Sequence, residues 1–155
     1  MTLEEQCVES WRIAARINGY LLDSLGDDAL AATAGATGRS VGETFAHLHN
    51  VRLMWLSVAA KELMGGMAKI EKEAAGEKAG LAAALEESAL AVEKLLVQAF
   101  AAGKVKNFKP HPAAFLNYLV AHEAHHRGQI MIALKQSGIR PDRKIAYGMW
   151  EWGAR

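Results

Sequence analysis

Residues 112–137, PAAFLNYLVAHEAHHRGQIMIALKQS, decide how this chain folds. Pro112 stands where a helix tolerates proline, in its first turn, and the preceding Lys109-Pro110-His111 resists helix. From there Phe115, Leu119, Ile130 and Ala133 recur at helical spacing, until Ser137-Gly138 and then Pro141 end the run. His122 and His126 are four residues apart, on the stripe that carries Leu119, Gln129, Ile130 and Ala133, so both imidazoles share the inward face. His125 points about 60–80° round from them. Two buried imidazoles need partners for their ring nitrogens, and one metal ion gripped by both supplies them.

The rest of the chain supports one such helix with three more. The best start signal is Ser40, an N-cap whose capping box is completed by Glu43, with Val41, Phe45, Leu48 and Val51 behind it. That helix is predicted over 40–64, stopped by Gly65-Gly66. An earlier helix spans about 2–25, with Leu3, Cys7, Trp11, Ala14, Ile17, Leu21 and Leu25 on one stripe and Gly26-Asp27-Asp28 at its end. A third covers about 81–102, from Leu81 and Leu85 to Leu95, Leu96 and Phe100, and ends at Gly103. The charged, glycine-dotted stretch 65–80 reads as a mobile loop or a frayed helix. The tail, 139–155, carries Trp150 and Trp152 and is expected to pack back on the bundle.

Composition agrees. There are 29 Ala and 13 Glu but only 19 Val, Ile and Thr together, a balance that favours helices over strands. At 155 residues the expectation is a single domain, 1–155, all-α, built as a four-helix bundle whose core can hold a metal or ligand site. Lys and Arg number 18 against 17 Asp and Glu, which gives no general electrostatic reason to expect nucleic acid or an anionic membrane. The one basic patch, Lys104 to Lys109, reads as a solvated loop. No apolar run approaches the roughly 20 residues of a membrane span. A lone cysteine, Cys7, excludes an internal disulfide framework, and Met1 to Glu9, with three Glu and no basic group, does not read as a secretory signal. The expectation is a cytoplasmic protein with no membrane and no nucleic-acid partner.

A catalytic metal site needs a third protein ligand. His47 lies in line with Glu43, Val51, Met54 and Val58, whereas His49 lies about 200° away, so only one of them can face the pair on the last helix. His47 would enter level with the middle of that helix and completes the predicted metal set His47, His122 and His126. Three neutral imidazoles with open positions suit Zn, Ni or Fe. Glu43, Glu123 and Gln129 are the candidates to orient a ligand or accept a proton, with Glu123, next to His122, expected in solvent. Trp11, Trp55, Tyr118 and Trp150 are candidate cavity walls or plain core, and Leu53, Leu56, Val120, Met131 and Leu134 a candidate dimer face or a core stripe. His122-Glu123-Ala124-His125-His126 also matches the H-E-x-x-H pattern of zinc proteases. The larger pattern fails, because no histidine follows His126 and Gln129 stands where glycine would be.

Two segments resemble a known family. Arg39-Ser40-Val41-Gly42-Glu43-Thr44-Phe45-Ala46-His47-Leu48 is similar to the second-helix signature of the DinB superfamily, and His122-Glu123-Ala124-His125-His126-Arg127-Gly128-Gln129-Ile130 to its fourth-helix signature. With the spacing between them, the resemblance covers nearly the whole chain. It implies an up-down-down-up, DinB/YfiT-like four-helix bundle, often a homodimer, with a divalent metal on His47, His122 and His126. The superfamily includes YfiT-like proteins, bacillithiol transferases and mycothiol-dependent maleylpyruvate isomerases. The resemblance therefore implies thiol S-transfer, or a related hydrolysis, acting on a low-molecular-weight thiol and an electrophile. The alternative is a non-catalytic, metal-stabilised dimeric stress-response or interaction module. His125, Arg127 and Gln129 match the family pattern as well, and read as helix-surface packing and hydrogen bonding behind the ligands.

Overall fold

Three of the four long helices begin where a side chain takes up an amide that the first turn leaves unpaired. Thr2 and Glu5 form a capping box at the start of α1, Leu3–Asp23. Ser40 and Glu43 do the same for α2, Val41–Ala59. His111 accepts from the Ala114 amide at the start of α4, Pro112–Gln136, with Pro112 in the first turn. Between them lies α3, Lys78–Ala102, which Gly103 closes with a left-handed φ of 67°. A short α5, Arg143–Gly148, follows. The computed structural model describes residues 1–155, and its regular structure is helical throughout. No helix is long and apolar enough to cross a membrane.

Two apolar clusters fix the directions of the helices. One joins Leu21 and Leu22 of α1, Val41 and Phe45 of α2, Leu81 and Leu85 of α3, and Ile130 and Leu134 of α4. The other joins Val8 and Trp11, Leu53 and Leu56, Leu95 and Leu96, and Phe115 and Leu119. The first cluster thus takes the end of α1, the starts of α2 and α3, and the end of α4, while the second takes the opposite ends. That is up-down-down-up. Parallel α2 and α3 oblige the chain between them to run back along the bundle.

This return segment is held rather than mobile. The His49 ring spans it, with Nε2 2.9 Å from the Ala68 carbonyl and Nδ1 3.0 Å from that of Ala84. The Asn50 amide donates to the Ile70 carbonyl at 3.0 Å and accepts from the Ile70 amide at 2.9 Å. Ala75 is buried against Gly42, where an added Cβ would collide with the Ala75 carbonyl oxygen. The expectation of a loose loop fails because the partners that fix it lie on α2, far away in sequence. The predicted end of the second helix also shifts. It stops at Ala59, since Ala60 turns inward, is buried, and starts a 3-10 turn at Lys61–Leu63.

The tail packs back through other residues than expected. Ile145 and Met149 rest on the first cluster, and the Arg155 guanidinium lies 3.7 Å from the Tyr20 ring centre. Trp150 stays 79% exposed.

Candidate metal centre

His47 comes from α2, and His122 and His126 from α4. One nitrogen from each ring falls within 4.8 Å of the others, and no carboxylate or thiol joins them. The Nε2 atoms of His122 and His126 are 3.1 Å apart, and the His47 ring centre is 4.5 Å from that of His126 and 5.4 Å from that of His122. A tetrahedral ion with bonds of about 2.0–2.1 Å sets its nitrogens about 3.4 Å apart. The α4 pair therefore stands at ligand spacing, and His47 is a side-chain adjustment away. The residues fit a divalent ion.

The protonation of the rings fits it too. Burial pushes the His47 imidazole down to about 4, and the Arg39 guanidinium and the other two imidazoles add to the effect. Burial also lowers His122 and His126. All three are neutral at pH 7, as ligands must be. Gln129 selects the tautomer of His126. Its Oε1 lies 2.7 Å from Nδ1, so Nδ1–H donates to it and leaves Nε2 as a bare lone pair facing the site. The other end of the same amide donates to His125 Nε2 at 3.1 Å. His125 is exposed and outside the cluster. On the other flank Tyr118 stacks on His122, with ring centres 6.1 Å apart, and continues into Trp55, Phe108 and Phe115.

Glu123 corrects the sequence reading. It is not solvated but 1% exposed, turned into the bundle between the two ligand-bearing helices. Its Oε1 accepts from Arg52 Nε at 2.7 Å and its Oε2 from Arg52 Nη2 at 3.0 Å, while Asn18 donates to Oε2 at 2.6 Å. Arg52, equally buried, also donates to the Leu85 carbonyl and to Ser88 and lies over the Trp11 ring. Arg127 reaches Asn18 Oδ1 at 2.9 Å. This network ties α1, α2, α3 and α4 at the level where the two apolar clusters meet. Its hydrogen-bonded satisfaction is what makes a buried carboxylate tolerable there.

The remaining candidates are dispersed. Glu43 is committed to the Ser40 amide at 2.7 Å and to Lys72 at 3.4 Å. His49, excluded as a ligand by its helical direction, is 1% exposed and lies between the carbonyls of Ala68 and Ala84. Trp11 is core rather than cavity wall, and Trp150 sits on the tail surface. Leu53, Leu56 and Leu134 are core as well, while Val120 and Met131 of the same stripe are partly buried against the two clusters. Sequence reasoning missed Arg52 and Asn18, because only the fold brings them to Glu123.

An up-down-down-up helical bundle with three histidines converging from its second and fourth helices fits a metal-binding bundle protein. The chain belongs to the DinB family, whose sequence model matches residues 1–151. No curated protein matches it in sequence.

Proposed function

We propose that this chain is a divalent-metal-dependent enzyme that transfers a low-molecular-weight thiol to an electrophilic small molecule. The observation that carries this reading is the three-nitrogen cluster with no fourth protein ligand, which leaves a coordination position for a substrate. A divalent ion held by His47, His122 and His126 would supply a Lewis acid that makes a thiol acidic enough to act as a nucleophile at neutral pH. Gln129 keeps His126 Nε2 aimed inward, and the depressed imidazoles hold no proton that would compete with the ion. Tyr118 offers an apolar flank against which an electrophile can lie.

In the transfer, a sulfur–carbon bond forms, the bond from that carbon to its leaving group breaks, and the thiol proton passes to solvent. Neither Glu43 nor Glu123 is free to take that proton, since each is held by a cation and an amide or amide-type donor. The thiol comes from outside the chain, because Cys7 packs among the residues around Val8 and Trp11 rather than with the three histidines.

The test is thiol transfer to an activated aryl halide by the metal-loaded protein and its His122→Ala variant. Loss of the rate by two orders of magnitude or more in the variant is expected; an unchanged rate removes the mechanism. The ligands come from two helices, so the ion would also staple α2 to α4. A large loss of melting temperature in chelator, with no turnover of any thiol, would favour a non-catalytic metal module instead.

A further inference from the structure

We propose that Arg39 is the anion-recognition residue of this site, and that the thiol bound beside the histidines carries a carboxylate which Arg39 pairs. The inference rests on the reading of the triad as a metal site that takes a thiol. Arg39 lies on a cleft of about 220 Å³ that it shares with Glu43, His47, Asn50, Ile70 and Lys72. The other polar groups of that cleft are occupied. Glu43 is held by the Ser40 amide and Lys72, and Asn50 pairs both backbone groups of Ile70. Arg39 makes no ion pair and no hydrogen bond within the protein. It is the one guanidinium on the cleft that His47 lines, and its donors are free.

Its placement is fixed by its neighbour. Ser40 caps α2 and is bridged to Thr33, so the backbone beside Arg39 is anchored. The far side of the site is positive as well. Arg52 is paired with Glu123, while Arg127, bonded to the neutral Asn18 amide, has no carboxylate of its own behind the ligands. With a divalent ion between these two sources, the site attracts an anion from either side. A planar guanidinium fork matches the two oxygens of a carboxylate better than any uncharged polar group. A thiol acid reaching from the metal position to Arg39 uses both attractions at once; a neutral thiol uses one.

The experiment is a titration of the cobalt(II)-loaded protein with 3-mercaptopropionate and with the uncharged 3-mercaptopropionamide, read by the sulfur-to-cobalt charge-transfer band. Wild type is expected to bind the carboxylate at least tenfold more tightly. Arg39→Gln should erase that preference while binding the amide as before, and Arg39→Lys should restore part of it. Arg39→Gln keeping the preference, or wild type having none while the amide binds, overturns the assignment and leaves the metal reading standing. If neither thiol produces the band, the thiol reading fails and this inference falls with it. Arg39 is exposed, so the variants are expected to fold, and far-ultraviolet circular dichroism checks that they do.

Discussion

Glu123 stands between two metal-type histidines in sequence and faces away from them in space. Its carboxylate is bidentate with Arg52 and buried with it. Removing one partner of such a pair strands the other charge in the core, at a cost of about 3–5 kcal/mol. Glu123→Ala is expected to lower unfolding stability in urea by that amount, whereas Arg52→Met with Glu123→Leu should cost less. An equal loss in both would show that the charges themselves are needed. Gln129 tells the opposite story, because it is exposed and bears on the ligand alone. Gln129→Leu frees the His126 tautomer, so metal affinity should drop about 10–100-fold, with metal-free stability changed by less than about 0.5 kcal/mol. Isothermal titration against urea melts separates the two effects. The triad was legible in sequence because an i, i+4 pair on an apolar stripe is a local signal. The role of Glu123 was not, since its partner Arg52 is 71 residues away.

At the scale of elements, helix starts were legible and the return segment was not. The Ser40–Glu43 box spans three residues and is visible as written. The end of α2 and the path of residues 60–77 depend on tertiary contacts instead. Ala60 is pulled into the core, and His49, Asn50 and Gly42 hold the chain that runs back past them. Glycine at 42 is required by close approach rather than by turn geometry. A methyl there meets the Ala75 carbonyl, and overpacking of this kind costs about 1–3 kcal/mol. Gly42→Ala should therefore lift the segment from α2. Hydrogen exchange at the Ile70 amide, which donates to Asn50, should speed up well beyond the change at amides in the middle of α3. Unchanged protection at Ile70 would mean that the segment is held elsewhere.

For the molecule as a whole, two apolar clusters at opposite ends leave a polar middle, and that middle makes stability depend on pH. In the unfolded chain the His47 imidazole takes a proton near its ordinary 6.5, while in the folded chain it resists until about 4. Between those values the unfolded state binds more protons, so stability must fall as pH falls. His122 and His126 are shifted in the same direction. The melting temperature of metal-free protein should be level above pH 6.5 with respect to these groups and decline from there towards pH 4. His47→Gln should make that decline shallower. A melting temperature that rises over the same interval would contradict the burial of these rings as neutral species.

The bundle and its direction of winding bring one histidine of α2 to two of α4, a placement suited to holding an ion. Metal stoichiometry by elemental analysis after dialysis tests this most directly, in wild type and in His47→Ala, His122→Ala, His126→Ala and His125→Ala. One divalent ion per chain is expected in wild type and in His125→Ala, with occupancy lost in each of the other three. Wild type that retains no ion when supplied with zinc, nickel or iron, or triad variants that keep it, would contradict the account.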